Sequence, residues 1–276
     1  MSEHAGSRAG PPPDPDALLA LAADVAQRAV AVLREGRERA RSTVETKSTA
    51  TDMVSEMDRA SERLIVSALL SARPGDGIVG EEGSQVAGTS GVHWVIDPLD
   101  GTTNYLYDLP GWNVSIAAED AAGPVAGVVA DAVRGEVFTA TRGGGAFRNG
   151  EPIACTGAAD LGTALVGTGF GYDARRRAGQ GEVLAGVLPR VRDIRRSGAA
   201  AIDLCSVACG RLDGYFERGL AWWDLAAGGL IATEAGAVVS SLDGGPMVAG
   251  SVLAAGPGLI APLRDLLCSL GAQDVP

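Results

Sequence analysis

Histidine is almost missing from this chain of 276 residues, where only His4 and His93 occur. Cysteine is scarce as well: four residues stand at 155, 205, 209 and 268, with no CxxC pair. A zinc centre needs a His/Cys cluster, so that chemistry is excluded. Four Cys in so long a chain point to a reducing compartment and small core side chains, not to a disulfide framework. Cys205 and Cys209 are expected on one face of a helix. Positive charge is in deficit, 23 Lys and Arg against 34 Asp and Glu, for a net charge of -11 that repels polyanions. The dense basic runs, Arg175 to Arg177 and Arg192 to Arg196, lack interleaved aromatics and read as solvated loop and helix faces, so no nucleic-acid partner is expected. No run approaches the ~20 apolar residues of a membrane span, and the start MSEHAGSRAGPPPDPD has no apolar core segment. A cytoplasmic protein with no membrane partner is expected, its residues 1–13 a disordered tail.

Repeats and Pro/Ser-rich linkers are also lacking. Two closely packed subdomains are therefore expected, 14–150 and 151–276, with a cleft between sheet ends as the site. Glycine is plentiful at 39 residues, which implies many turns and close backbone approaches. Asp14-Pro15 reads as a cap followed by proline at the first helical position, and Leu18, Leu21, Ala22, Val25, Ala29, Val32 and Leu33 recur at helical spacing up to about Gly36. Asp52 is expected to cap a second helix that stops at Arg73-Pro74-Gly75. From Gly77 the pattern turns to glycine-bounded strands: GIVGEEG, VHWVID, NVSIAAED, VAGVVAD and EVFTATRGGGAF. Later, ALVGTGFG reads as a strand, while GEVLAGVLPRVRDI, GAAAIDLCSVACG, DLAAGGLIATEAG and PGLIAPLRDLLCSL read as helices.

The chemistry concentrates at Asp97-Pro98-Leu99-Asp100, directly behind an apolar run. Proline fixes its own φ and pushes Asp97 into an extended conformation, so the chain leaves the strand through a defined turn on which both carboxylates can converge. Two carboxylates ~4 Å apart repel by about 4 kcal/mol at an effective dielectric of 20, so such a site must bind protons, basic side chains or metal. All-oxygen ligands select a hard cation, Mg²⁺ above all, or Mn²⁺. The plainer reading is that Asp97 caps a turn and Asp100 the next helix. Gly80-Glu81-Glu82-Gly83 ends another strand and offers further carboxylates. Trp223-Asp224 opens a helix, where Asp224 alone would pass for an N-cap. After Asp100, the backbone N–H groups of Gly101-Thr102-Thr103 can hold a phosphate. Carboxylates beside an anion cradle require cations between them, which is the layout of metal-assisted phosphoryl transfer.

The segments GEEG, WVIDPLDGTTNY and WDLAAGGLIATEAGAVV, with Lys47, Thr51, Asp52 and Asp58 in KSTATDMVSEMD, resemble the inositol monophosphatase family of magnesium-dependent, lithium-sensitive phosphatases. LVGTGFGY and RDIRRSGAAAIDLCSVACGRLDGYFERG resemble its bacterial inositol-1-phosphate phosphatase branch. The resemblance covers the chain from about residue 17 onward. It implies an α/β (α+β) fold, a layered αβαβα sandwich, and a homodimer that hydrolyses myo-inositol monophosphate with two or three Mg²⁺ per site. It further implies that Glu81, Asp97 and the Leu99 carbonyl hold one metal, and that Asp97, Asp100 and Asp224 hold a second. Glu81 would also touch a third, and Mn²⁺ could substitute. Thr102 and Asp58 match the pair that orients the attacking water, which with Glu81 completes the catalytic set. Gly101 and Thr102 N–H groups would bind phosphate. Gly198, Ala199, Ala200, Glu217 and Asp224 would meet the substrate, although Glu217 also reads as a solvated loop charge and Lys47 as a surface lysine. Ala199 departs from the family's frequent threonine and removes one hydroxyl contact.

Other readings compete. Haloacid-dehalogenase phosphatases also carry an Asp motif ending in DGT, but with one residue between the aspartates where this chain has Pro98 and Leu99. Within the same fold the substrate could be histidinol phosphate, fructose 1,6-bisphosphate or a nucleotide 3′-phosphate. A reading of another class is a non-enzymatic regulator that keeps the metal and phosphate cradle.

Overall fold

In a computed structural model the structure describes residues 14–42 and 50–275, with backbone alone for 38–42 and 50–55. The expected tail and Lys47 fall outside them. The chain opens with helix α1 (Pro15–Ser42), whose amide at Asp16 bonds the Asp14 carboxylate (3.1 Å), and helix α2 (Ala50–Ala72). α1 continues past Gly36, where a stop was expected. A side chain at Gly36 would collide with the Met57 sulfur, so this glycine lets two helices touch and does not end one. α2 likewise starts two residues before Asp52.

Strands β1 (Gly77–Gly80), β2 (Gln85–Val86), β3 (His93–Asp100), then helix α3 (Thr102–Leu106), lead into β4 (Asn113–Asp120), β5 (Gly123–Asp131), β6 (Glu136–Thr141), β7 (Gly145–Arg148) and β8 (Glu151–Pro152). They form one sheet ordered β2-β1-β3-β4-β5-β6-β7-β8, in which only β1 and β3 run parallel. The second half supplies β9 (Leu165–Thr168), α4 (Ala174–Val187), β10 (Asp193–Arg195), α5 (Ala200–Ala208), β11 (Gly214–Arg218), α6 (Trp222–Glu234), β12 (Val238–Ser240), β13 (Ser251–Ala255) and α7 (Ile260–Ser269). Its sheet is ordered β10-β9-β11-β13-β12, with β10, β9 and β11 parallel. Arg192-Asp193-Ile194 was expected to close a helix. Instead, the helix ends at Val187 and Asp193-Ile194 enters β10, because pairing with β9 satisfies its backbone at the sheet edge.

The layers follow from which faces are apolar. α1 and α2 cover one face of the first sheet, α5 and α6 lie between the two sheets, and α4 and α7 cover the far face of the second: αβαβα. β4 and β5 are buried along most of their length on both faces, which is why β5 reads as a nearly continuous apolar run and why β4 buries Asn113 and Ser115 beside its apolar residues. α5 and α6 are built from small residues and approach their neighbours closely. A side chain at Gly127 of β5 would stand 3.1 Å from the Ala227 Cα of α6. That backbone-level contact sets the height of α6 above the sheet, and with it the position of Asp224. We predict that Gly127→Val destabilises the protein by about 1–3 kcal/mol through overpacking; urea denaturation monitored by circular dichroism checks this.

Candidate active site

Strand β3 carries a bulge. Asp97 pairs with Ser115 and Asp100 with Asn113, so two residues of β3, Pro98 and Leu99, oppose the single Val114 of β4. Side chains alternate along a regular strand, and residues three apart would face opposite sides. The extra residue reverses that parity and turns both aspartates to one cavity. A bulge also accommodates proline, which cannot donate to a ladder. The sequence predicted a strand exit here; the strand instead continues through Pro98 to Asp100. Two bonds fix the irregular segment: the Leu99 amide donates to Asp97 Oδ1 (3.0 Å), and the buried Ser61 hydroxyl of α2 donates to the Pro98 carbonyl (3.0 Å).

The cavity, of about 350 Å³, gathers Glu81 from the end of β1, Asp97, Leu99 and Asp100 from β3, Gly101 and Thr102 at the start of α3, and Asp224 from α6. Gly198, Ala199, Ala200 and Glu217 line it as well, so it holds every site residue expected from the sequence except Asp58. Asp58 lies on α2, 4% exposed, near enough to Glu81 to feel its charge, with an Oδ1 that has no hydrogen-bond partner among the described residues. Thr102 Oγ1 donates to the Leu99 carbonyl (3.1 Å) and not to Asp58. Gly101 has φ of 88°, and a side chain there would strike the Gly111 carbonyl at 2.4 Å, so this position demands glycine.

Several of the carboxylates are also held by the protein, in part as the plainer readings anticipated. Asp100 accepts from the Asn113 side chain (2.9 Å) and from the Ala201 amide at the start of α5 (2.9 Å), which ties the first sheet to the central helices. Asp224 accepts from the Ala221 amide (2.7 Å), closing the N-terminus of its own helix. Glu217 receives the Tyr215 hydroxyl and lies across Gly169, where a side chain would collide with it. Ser197 Oγ donates to the buried Asp203 (2.6 Å).

The electrostatics follow from burial first and like charge second. Asp97 is pushed well above the usual carboxylate range by desolvation and by Glu81, Asp100 and Asp224. Glu81 is raised by desolvation, and the two groups are hydrogen-bonded to each other, so a proton shared between them relieves part of the repulsion. Burial lifts Asp100 to about 6, against the pull of Asn113 and the α5 amides. It lifts Asp224 to about 8 with help from Asp100, and Asp58 to about 8 with help from Glu82 and Glu81. Glu217 rises to about 7 by burial. As they stand, no three His, Cys, Asp or Glu side chains among the described residues are spaced to enclose a metal ion. The donor set nevertheless fits a hard divalent cation: it is all oxygen, and desolvation, joined by like charge at Glu81, Asp97 and Asp224, raises every one of its carboxyls.

Three positioning residues escaped the sequence reading. Glu62 of α2 accepts from the Glu82 amide (2.9 Å) and the Ser84 amide (3.0 Å), clamping the turn that presents Glu81. Its signal was present as the fourth residue after Asp58, on the same helical face. Asn104 donates to the Gly111 and Ser197 carbonyls (2.6 and 2.8 Å), joining the turn after β3 to the segment before α5. Asn113 holds Asp100, and nothing in a strand reading NVSIAAED marks it.

A model of the inositol monophosphatase family matches residues 14–270. The chain belongs to that family. It is 46% identical over 246 residues to the inositol-1-monophosphatase SuhB of Mycobacterium tuberculosis, covering 84% of each chain. It is 38% identical over 258 residues to the Nus factor SuhB of Salmonella typhimurium, covering 91% of this chain and 97% of the relative. The solved Mycobacterium tuberculosis SuhB superimposes with a TM-score of 0.81 at 43% identity, over 93% of this chain and 98% of that one. Family membership supports a phosphatase. Among the described residues no helix is long and apolar enough to cross a membrane.

The raised carboxyls carry a pH consequence. An acid whose folded pKa lies above its unfolded value binds more protons in the native state between the two, so stability falls as pH rises through that window. For Asp100, Glu217, Asp58 and Asp224 the window runs from about 4 to about 8. In chelator the melting temperature should therefore decline between pH 5 and pH 8, and added Mg²⁺ should raise it more at pH 8 than at pH 5. Scanning calorimetry at both pH values tests this.

Proposed function

We propose that this chain is a Mg²⁺-dependent phosphomonoesterase that hydrolyses myo-inositol monophosphate to inositol and phosphate by direct attack of water. The observation that carries the reading is the set Glu81, Asp97, Asp100 and Asp224, of which Asp97 and Asp100 are buried, lining one cavity that also holds the Gly101-Thr102 turn. A phosphate monoester brings about two more negative charges, so substrate and metal bind interdependently. Glu81, Asp97 and the Leu99 carbonyl would hold one Mg²⁺; Asp97, Asp100 and Asp224 would hold a second; Glu81 would also touch a third, with Mn²⁺ as a substitute. Such ions would supply acidification of water and charge neutralisation at the phosphoryl group.

The remaining work belongs to the chain. Gly101 and Thr102 amides orient the phosphate. The Thr102 hydroxyl and Asp58 together orient the attacking water. Glu217 and the Gly198–Ala200 backbone meet the sugar hydroxyls, and Asp224 faces the leaving oxygen. No nucleophilic side chain is required, so no phosphoenzyme forms. The reading extends to lithium sensitivity, a cytoplasmic location and a homodimer.

The relative named a Nus factor supports a second reading, a regulator built on the same cradle. The two separate in one experiment: phosphate release measured with Mg²⁺ from inositol 1-phosphate, histidinol phosphate, fructose 1,6-bisphosphate and a nucleotide 3′-phosphate. Inositol 1-phosphate should be the best substrate, chelator should stop release, and Asp97→Asn should lower turnover at least about 100-fold with an unchanged circular dichroism spectrum. No release from any substrate sinks the enzymatic reading, and a near wild-type Asp97→Asn sinks the metal assignment.

A further inference from the structure

Two buried polar groups behind the cavity have no step in the reaction proposed above: the Tyr215 hydroxyl and the Asp203 carboxyl. Side chains alternate along β11, so Tyr215 and Glu217 share the face turned to the central helices while Phe216 packs on the α4 and α7 side. Tyr215 is wholly buried, and a phenylalanine would fill the same space among the same apolar neighbours. The hydroxyl is therefore surplus to packing, and it donates to Glu217 Oε2. The Glu217 carboxyl also rests over Gly169, just beyond β9, where an added side chain would collide with it. A hydroxyl and a bare stretch of backbone thus fix the carboxyl where it lines the cavity.

Asp203 reaches the same place from α5, where it is 1% exposed. The lining segment Gly198–Ala200 begins directly after Ser197, whose hydroxyl donates to Asp203 Oδ1 (2.6 Å) and whose carbonyl accepts from Asn104 (2.8 Å). Gly198, at φ 85°, turns the chain away from these anchors into α5. Asp203 and Tyr215 meet over Gly167 of β9: a side chain there would stand 3.7 Å from Asp203 Oδ1 and 3.2 Å from the Tyr215 ring. Both parts of the cavity assigned to sugar hydroxyls, Glu217 and the Gly198–Ala200 backbone, therefore lean on one buried cluster. The carboxylates assigned to metal are held by other donors, the Leu99, Ala201 and Ala221 amides and the Asn113 side chain.

We propose that Tyr215 and the Ser197–Asp203 pair are positioning residues that set selectivity for a polyol leaving group, by holding the Glu217 carboxyl and the Gly198–Ala200 backbone where ring hydroxyls are read. The proposal rests on the hydrolytic reading above and deepens it. A carboxyl that must meet a hydroxyl in one geometry loses that geometry when its own partner is removed, because a single rotamer is then no longer enforced. Phosphate and metal binding depend on other contacts, so the loss should fall on the hydroxyl-bearing end of the substrate alone.

The test compares inositol 1-phosphate with cyclohexyl phosphate, the same ring without its hydroxyls, in wild type, Tyr215→Phe and Ser197→Ala, with Mg²⁺ present. The wild type should favour inositol 1-phosphate in kcat/KM by at least about tenfold, since a site built to bond hydroxyls rejects an analogue that lacks them. Tyr215→Phe should lower kcat/KM for inositol 1-phosphate at least about tenfold and Ser197→Ala at least about threefold, each changing cyclohexyl phosphate by less than about twofold. Equal losses on both compounds would mean a purely structural role and overturn the proposal. A wild-type ratio near one, or a ratio unchanged in either variant, overturns it as well. Should Tyr215→Phe fail to fold by circular dichroism, Ser197→Ala carries the same comparison. If the wild type hydrolyses neither compound, the hydrolytic reading falls by itself. Calorimetric titration of the same pair then decides the positioning: an affinity ratio lowered by the variants supports it, and an unaffected ratio overturns it.

Discussion

Repulsion between Asp97 and Asp100 is the constraint to which the rest of the cavity responds. Both carboxyls are buried, the bulge at Pro98-Leu99 turns them the same way, and Glu81 and Asp224 add their charge from two other elements. Burial makes each charge costly and proximity makes the set costlier still. The protein answers with local donors: the Leu99 amide for Asp97, Asn113 and the α5 amide for Asp100, the Ala221 amide for Asp224. These bonds orient the carboxylates without neutralising them. The oxygen donors that remain are of the kind that suits a divalent cation.

The fold makes that concentration of charge possible by bringing layers together at strand ends. β1 and β3 are the parallel pair of the first sheet, and Glu81 and Asp97 stand at their carboxyl ends. The second sheet opens β9, β10 and β11 onto the same cavity, while the central helices present the first turns of α5 and α6. Residues of both sheets and of the central helices therefore line one cavity. Contacts such as Gly127 against Ala227 fix how close the layers come, so a packing choice far from the chemistry sets the geometry of Asp224.

Chain-local signals were the legible ones. The helical spacing of α1, the buried runs of β4 and β5, the small-residue helices α5 and α6, and the motif of Asp97 to Thr102 all depend on neighbours along the chain. The end of α1 was misplaced because Gly36 serves a contact with Met57, a residue 21 positions away in sequence but adjacent in space. β10 was misread for a related reason: a three-residue edge strand has too little pattern of its own, and its partner decides its state. β11, β12 and β13 were not drawn at all.

The sequence by itself determined that acidic side chains would gather behind a buried strand beside a phosphate-holding turn, because residue type, proline and glycine act over a few bonds. Only the tertiary structure decided which face each carboxylate takes and that Glu62, Asn104 and Asn113 hold the site in place. Those outcomes depend on strand register and on the meeting of layers. Both are settled by packing between segments as far apart as Asp100 and Ala201, whose contact no local pattern encodes.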